Sequence, residues 1–131
     1  MNDDLCGLRV LIIDDEKDFA STLASRLELR EMRVTCAFCG EEGLARIREE
    51  PPDVVLLDMR MPGLSGVDVL ERIRMHHPLL PVIIVSGHCT QQDSDLAEEL
   101  GIQGFHAKPL QFRELMATFM ELARKIRTCS L

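Results

Sequence analysis

The residues of this sequence that can do chemistry are five polar side chains that stand at the ends of short apolar runs: Asp14, Asp15, Asp58, Ser86 and Lys108. Carboxylates, a hydroxyl and an ammonium group are the groups that a magnesium-assisted phosphoryl-transfer site uses. A carboxylate in such a site can attack phosphorus and form an acyl phosphate. The residue types therefore predict phosphoryl chemistry, provided that the fold brings these separated positions together.

The acidic pair after the first apolar run is followed at once by Glu16, so three acids stand next to one another. Such a concentration of negative charge is costly unless a cation neutralises it. Mg²⁺ is the natural candidate, because it binds a few carboxylates and keeps positions open for phosphate oxygens. Ser86 could donate a hydrogen bond to a phosphoryl oxygen. Lys108 could pair with a carboxylate at rest and with the phosphoryl group after transfer.

The elements that must position these residues are strands and helices in alternation. Strands are predicted at about residues 8–13, 33–37, 53–57, 81–85 and 103–107, and the β-branched content of residues 8–13 suits a strand that is buried on both faces. A stripe of Phe19, Leu23 and Leu27 predicts a first helix, which Asp15 is placed to cap. Further helices are predicted at about residues 40–49, 66–75, 91–100 and 110–126.

This alternation predicts a parallel sheet with right-handed crossovers and helices on both faces. We expect an α/β, flavodoxin-like, doubly wound (βα)5 fold, whose five-stranded parallel sheet has the strand order 2-1-3-4-5. The first and third strands are then neighbours at the point where the strand order reverses. Asp58 should therefore face Asp14 and Asp15 across the usual ligand crevice.

Taken one at a time, these residues also have structural interpretations that the sequence leaves open. Asp15 has a role as a helix cap, and Asp58 is a residue type common in turns. Ser86 followed by Gly87 is an ordinary end to a strand. Lys108 would then be a surface lysine before the proline that opens the last helix. Their joint placement at the ends of four strands favours the chemical interpretation.

The composition predicts one domain over residues 1–131, with a core of about 8–127, since 46% of the residues are hydrophobic. The net charge of −7 repels a phosphate backbone, so we expect no direct nucleic-acid binding. The first residues lack the pattern of a secretory signal, and no stretch approaches the ~20 apolar residues of a membrane span. We therefore expect a cytoplasmic protein without membrane contact, whose five cysteines are reduced.

Four segments of the chain resemble the receiver domain of two-component response regulators, and the resemblance covers essentially the whole chain. The matching segments are residues 11–16 (LIIDDE), 56–66 (LLDMRMPGLSG), 84–88 (IVSGH) and 101–109 (GIQGFHAKP). Around residues 86–88 the sequence is similar to receivers attached to transcription-activating ATPases, the NtrC-like class.

The resemblance implies a role for each residue at the strand ends. Asp58 is then the phosphoacceptor, and Ser86 and Lys108 bind the phosphoryl group. The implied cofactor is Mg²⁺, with ligands that comprise Asp15, Asp58 and the backbone carbonyl of Arg60, while Asp14 contributes charge or a water-mediated contact. Such a receiver catalyses its own phosphorylation and dephosphorylation and is not a classified enzyme.

The resemblance also implies partners and a switch. The phosphoryl donor is a sensor histidine kinase, a phosphotransfer protein or a small phosphodonor. After transfer, Ser86 moves toward the phosphoryl group, Phe105 turns inward, and the face of the fourth helix, fifth strand and fifth helix is remodelled. We expect this face to control an output domain or a downstream protein, or to form a phosphorylation-dependent dimer. The polar residues 91–95 leave the fourth helix weakly anchored, which suits a moving element.

The resemblance also bears on Arg60, His88, Phe105 and Pro109. Arg60 and His88 lie two residues beyond the acceptor and the hydroxyl, where side chains border the path of the attacking water, so we expect them to tune hydrolysis. Phe105 lacks the hydroxyl of the more frequent tyrosine, so its part in the switch relies on packing. Pro109 is a candidate for a cis peptide bond.

Other classes of function compete with this interpretation. A phosphatase of the haloacid dehalogenase type also uses an aspartate nucleophile with Mg²⁺, but it requires Asp-x-Asp where this chain has Asp-Asp-Glu. A flavin-binding module would need small residues in that loop in place of three acids. A degenerate receiver that acts only as an interaction surface is a third class. Cys36 and Cys39 form a single Cys-x-x-Cys, for which a core role of Cys36 is simpler than redox chemistry.

Overall fold

Strand-forming runs and amphipathic helical segments alternate along the chain. The computed structural model describes the backbone of residues 5–129 and the side chains of residues 5–126. The strands are β1 (Arg9–Ile13), β2 (Arg33–Ala37), β3 (Val54–Leu57), β4 (Val82–Ser86) and β5 (Gly104–Ala107). The helices are α1 (Lys17–Glu28), α2 (Gly40–Glu49), α3 (Gly66–His76), α4 (Gln91–Leu100) and α5 (Phe112–Cys129). The predicted (βα)5 order is confirmed.

The strands of the described residues form one parallel sheet in the order β2-β1-β3-β4-β5, which confirms the predicted flavodoxin-like topology. All neighbouring strands run in the same direction, so their carboxyl ends lie at one edge of the sheet. Every residue of β3 and β4 is buried, as expected for apolar strands that are covered on both faces.

The side chains of the strands alternate between two hydrophobic cores, one on each face of the sheet. In β1, Val10 and Ile12 pack into the first core, whereas Leu11 and Ile13 pack into the second. Helices α1 and α5 close the first core, in which Phe119 is completely buried. Helices α2, α3 and α4 close the second core. The predicted covering of both faces by helices is therefore confirmed.

The start of α1 differs from the sequence prediction. Asp15 does not cap this helix, because α1 begins at Lys17 and the N-cap position belongs to Glu16, whose side chain makes no capping hydrogen bond. The amide of Glu16 instead donates to Oδ1 of Asp14 at 2.9 Å. The interpretation of Asp15 as a helix cap is therefore wrong.

The last helix is also displaced from its predicted range of 110–126. It begins at Phe112, because the carbonyl of Gln111 accepts the amide of Glu114 and so opens the first turn. It continues to Cys129. Within residues 5–129, neither this helix nor any other is long and apolar enough to cross a membrane.

The start of α3 packs tightly against the loop that follows β3. Ser65 and Asp68 form a reciprocal capping box, in which each side chain accepts the other residue's amide at 3.2 Å. A Cβ atom at Gly66 would lie 2.4 Å from Cα of Met59 and 2.5 Å from the carbonyl oxygen of Asp58. Glycine therefore allows the helix to approach this loop closely.

Gly66→Ala is expected to destabilise the fold by about 1–3 kcal/mol, because the added methyl group overlaps backbone atoms and forces the loop after β3 to shift. Urea unfolding followed by circular dichroism measures the change. The matched control is Gly87→Ala, whose Cβ would meet the Lys108 side chain at an ordinary 3.5 Å. Equal unfolding midpoints for the two variants would contradict the packing argument.

Candidate functional site

Three buried polar side chains of the described chain lie together at the carboxyl edge of the sheet. Asp14 follows β1, Asp58 follows β3 and Ser86 ends β4, and the exposed fractions of these residues are 2%, 4% and 2%. Lys108 follows β5, and its side chain is 12% exposed. Buried carboxylates are costly unless they are paired or bind a cation. This edge is therefore the candidate functional site.

Backbone hydrogen bonds extend the parallel sheet just past the strands and fix the position of the site. The amides of Asp14, Asp58 and Lys108 donate to carbonyls at the ends of neighbouring strands, with N···O distances of 3.0, 3.0 and 3.1 Å. Side chains on such short, hydrogen-bonded extensions have little freedom to move apart. The sheet itself therefore holds the reactive groups together.

The two oxygens of the Asp58 carboxylate have different surroundings. The hydroxyl of Ser86 donates to Oδ1 at 2.9 Å, and the amide of Arg60 lies 3.4 Å from the same oxygen. Among the described residues, no hydrogen-bond donor contacts Oδ2. The carboxylate is thus oriented through one oxygen while the other is available for chemistry.

The ammonium group of Lys108 is held by acids on the other side of the site. Its Nζ donates to Oδ2 of Asp14 at 2.8 Å and to Oε1 of Glu16 at 2.5 Å. The same atom lies 4.2 Å from the centre of the Phe19 ring, where the ring face attracts a cation. Lys108 was predicted to pair with a carboxylate, and in the structure its partners are Asp14 and Glu16.

Carboxylate oxygens of Asp14, Glu16 and Asp58 all lie within 4.8 Å of one another. Carboxylate oxygens are the ligands that a hard cation such as Mg²⁺ binds while it keeps several waters. Glu16 enters this group because its amide is bound by the neighbouring Asp14 carboxylate. The predicted ligands included Asp15 but not Glu16. The sequence feature that could have indicated Glu16 is its position in the run of three acids, residues 14–16.

Asp15 and Arg60 line the cavity beside the carboxylate group. Their roles as magnesium ligands, through the carboxylate of Asp15 and the backbone carbonyl of Arg60, stay predictions. The negative charge of Asp15 contributes to raising the pKa of Asp58, so its carboxylate lies close enough to act on the site.

Burial makes the negative charges of this site expensive. It raises the pKa of Asp58 above its ordinary value, although the hydrogen bond from Ser86 opposes the shift. Burial also raises the pKa of Asp14, against the hydrogen bond from Lys108. Burial alone would lower the pKa of Lys108, but its hydrogen bonds to Asp14 and Glu16 raise it. The site therefore favours a bound cation, and the lysine stays charged.

A cavity of about 740 Å³ opens over the carboxylates. Its wall includes Arg60 and His88, the residues predicted to tune hydrolysis. Its apolar part lies beside α1 and the start of α5 and includes Phe19, Leu23 and Leu110. The peptide bond between Lys108 and Pro109, at the edge of this cavity, is cis.

The two residues of the predicted switch differ in exposure. Ser86 is buried against Asp58, whereas Phe105 in β5 is 38% exposed. Helix α4 buries a single side chain, that of Ala97. The inward turn of Phe105 and the remodelling of the α4-β5-α5 face stay predictions.

No disulfide bond joins the cysteines whose side chains the structure describes, which are Cys6, Cys36, Cys39 and Cys89. The thiol of Cys36 packs against the first core and donates to the carbonyl of Ala20 at 3.8 Å. This environment supports the structural interpretation of Cys36, and burial raises the pKa of its thiol.

Known proteins with a similar sequence and fold are receiver domains. A family model for the response regulator receiver domain matches residues 10–120. A response regulator receiver domain protein from Clostridium thermocellum is similar, with 31% identity, a TM-score of 0.86, and coverage of 93% of this chain and 98% of that chain. The N-terminal domain of an uncharacterized protein from Wolinella succinogenes has 31% identity and a TM-score of 0.87, with coverage of 95% and 100%. A CheY-like receiver domain protein from Methanospirillum hungatei JF-1 has 26% identity and a TM-score of 0.89, with coverage of 93% and 98%.

The raised pKa of Asp58 predicts how its removal changes stability. The folded protein holds this proton to a higher pH than the unfolded chain, so the carboxylate reduces stability as pH rises from about 4 through its folded-state pKa. Without added metal, Asp58→Asn should therefore be more stable than the parent protein at pH 7, by an amount within roughly 0.5–3 kcal/mol. The difference should disappear below about pH 3, where the carboxyl group is protonated in both states.

Urea unfolding in the presence of a chelator, repeated over this pH range, measures the difference. Asp95→Asn is the matched control, because Asp95 is an exposed acid and its substitution should change stability little. An Asp58→Asn protein that is no more stable than the parent at neutral pH, or a difference that grows on acidification, would contradict the argument.

Proposed function

This chain belongs to the family of response regulator receiver domains, and we propose that it is the phosphoacceptor of a two-component or phosphorelay system. In this proposal Asp58 takes a phosphoryl group from a histidine kinase or a phosphotransfer protein, in a reaction that depends on Mg²⁺. The modification changes the α4-β5-α5 face, through which the domain controls an output domain or a downstream protein. The domain acts as a cytoplasmic signalling protein that modifies itself, and not as an enzyme with an external substrate.

One observation carries this proposal, namely the environment of Asp58. The carboxylate is 4% exposed, and one of its oxygens accepts the Ser86 hydroxyl at 2.9 Å. The same residue forms part of the wall of a cavity that could admit a phosphoryl donor. A buried, oriented carboxylate with an unengaged oxygen at a cavity is the arrangement that a carboxylate nucleophile requires.

The transfer step makes one bond and breaks one. An oxygen of the Asp58 carboxylate forms a bond to phosphorus, while the P–N bond of a phosphohistidine breaks and its electron pair returns to the imidazole nitrogen. With acetyl phosphate as donor, the P–O bond breaks and acetate leaves. The Ser86 hydroxyl then donates to a phosphoryl oxygen, and the Lys108 ammonium provides a positive charge at the same edge.

The carboxylates of Asp14, Asp15, Glu16 and Asp58, together with the backbone carbonyl of Arg60, are the groups that would hold Mg²⁺. The fit rests on the three carboxylate oxygens within 4.8 Å and on the raised pKa values of the two buried acids. When bound, the ion supplies charge neutralisation for the acids and the phosphoryl oxygens.

The acyl phosphate is lost when water attacks phosphorus, releases inorganic phosphate and restores the Asp58 carboxylate. Arg60 and His88 line the cavity through which this water must approach, and both side chains are exposed. Their size and charge therefore set how often water reaches the phosphoryl group. This assigns them the control of the lifetime of the phosphorylated state.

The proposal of α4-β5-α5 as the output face is supported by the weak anchoring of α4. This helix contributes only Ala97 to the buried core, and its first turn is polar. Phe105 of β5 is 38% exposed on the adjoining strand, where a change in orientation alters the apolar surface. A partner or a second copy of the domain that contacts this face would distinguish the two states.

Incubation of the protein with acetyl phosphate and Mg²⁺ should add one phosphoryl mass, which intact-protein mass spectrometry measures. Asp58→Asn should not gain this mass, because an amide is a poor nucleophile for phosphorus. Replacement of Mg²⁺ by a chelator should also prevent the gain. Asp53→Asn is the control, since Asp53 pairs with Arg9 away from the site. Modification of Asp58→Asn at the parental rate would refute the assignment.

Lys108→Ala should retain most of the phosphoryl acceptance but switch more weakly, because the ammonium group acts on the phosphoryl group after transfer. Mass spectrometry measures the acceptance, and hydrogen exchange of α4 measures the switch in the same sample. Lys17→Ala is a matched control, because Lys17 lies over the Phe38 ring and is not part of the cavity wall. A Lys108→Ala protein whose α4 responds as fully as the parent would remove this role.

A further inference from the structure

Arg60 connects the phosphoacceptor loop to α4. Arg60 and Asp58 line the same cavity, and the backbone amide of Arg60 lies 3.4 Å from Oδ1 of the Asp58 carboxylate. Its guanidinium group reaches the other way: Nε donates to the carbonyl of His88 at 3.1 Å, and Nη2 lies 3.7 Å from Oδ2 of Asp93. One cation therefore stands between the reactive carboxylate and the first turn of α4.

Two interactions involve the amino-terminal end of α4, namely a side-chain cap and the ion pair with Arg60. Thr90 caps the helix by accepting the amide of Asp93 at 3.1 Å, so the Asp93 carboxylate projects from the first turn. Within the described residues, the pair of Arg60 and Asp93 is the one ion pair that joins α4 to another part of the chain, the loop after β3. Both partners are partly exposed, so the pair is weak and easily exchanged.

The carboxyl-terminal end of α4 is held much more firmly. The guanidinium group of Arg74, on α3, donates to the carbonyl of Leu100 at 3.0 Å and to that of Gly101 at 2.8 Å. It also donates to the carbonyl of Leu80 at 2.7 Å. These carbonyls belong to the end of α4 and to the loop before β4. The two ends of α4 are therefore held unequally.

Phosphorylation changes the charge in the cavity that Arg60 lines. A carboxylate with one negative charge becomes an acyl phosphate with about two, and phosphoryl oxygens bind guanidinium groups strongly. Lys108 is already shared between Asp14 and Glu16. Arg60 is thus a cavity residue whose only acidic partner in the described chain is the partly exposed carboxylate of Asp93.

We propose that phosphorylation of Asp58 draws the Arg60 guanidinium from Asp93 to the phosphoryl group and so releases the amino-terminal end of α4, which remains held by Arg74 at its other end. Arg60 is then a positioning residue that transmits the reaction to the output face. This inference rests on the proposed phosphorylation of Asp58.

Hydrogen exchange with and without phosphorylation tests the release directly. In the parent protein, phosphorylation should speed exchange of the amides of residues 93–96 several-fold and leave the end of α4 near Leu100 almost unchanged. In Asp93→Asn and in Arg60→Gln, these amides should already exchange fast, and phosphorylation should add nothing. Asp95→Asn, which removes an exposed acid of the same helix, should respond like the parent.

Mass spectrometry of the same samples separates two kinds of failure. A parent protein that gains no phosphoryl mass would overturn the proposed function and this inference with it. A parent that is phosphorylated but shows no change at residues 93–96, or an Asp93→Asn protein that keeps the full response, would overturn the inference alone. Equal acceleration along the whole helix would also overturn it, because the Arg74 end should stay fixed.

Binding of beryllium fluoride with Mg²⁺, a reversible analogue of the phosphoryl group, gives an independent readout. If the phosphoryl group and Asp93 compete for Arg60, the two interactions are coupled. Removal of Asp93 must then tighten binding of the analogue by the same factor by which the bound analogue weakens the pair of Arg60 and Asp93. Asp93→Asn should bind about two- to fivefold more tightly, which is the range that an exposed ion pair supports. In an Arg60→Gln background, Asp93→Asn should have no effect. Unchanged affinity in Asp93→Asn would mean a purely structural role and would overturn the proposal.

Discussion

An imbalance of charge at one edge of the sheet dominates this structure. Three carboxylates, from Asp14, Glu16 and Asp58, lie within 4.8 Å of one another, and the ammonium group of Lys108 contacts two of them. Burial makes this excess of negative charge costly, as the raised pKa values of the two buried acids indicate. The backbone hydrogen bonds at the strand ends keep the groups from separating. A divalent cation is the ligand that such an excess of negative charge favours.

The fold and most of the site were predictable because both follow from patterns that repeat along the chain. Apolar runs gave the strands, their alternation with helices gave the parallel sheet, and the carboxyl ends of the strands brought together Asp14, Asp58 and Ser86. The placement of these residues depends only on which polar residue follows or ends each apolar strand segment. A shift of one residue in a strand boundary, as at Ser86, does not change them.

The features that escaped prediction depend on single side chains and on exact helix starts. Because α1 begins at Lys17, Asp15 does not cap it, and Glu16 joins the carboxylate group in its place. The contacts that Arg60 and Arg74 make with α4 join positions about 30 residues apart, and such pairs leave no periodic signal in a sequence. Composition and spacing therefore predict the sheet and the residues at its strand ends. The contacts of Arg60 and Arg74 with α4 become visible only in the three-dimensional structure.

The separation of the two cores by the sheet has a consequence for how such a domain diversifies. The mouth of the cavity lies beside α1 and the start of α5, on the first core, whereas α4 packs on the second. Substitutions that alter one surface need not disturb the packing under the other. Under the proposed function, specificity for the phosphoryl donor and specificity for the output partner can therefore change independently during evolution, as long as the residues at the strand ends between the two surfaces are kept.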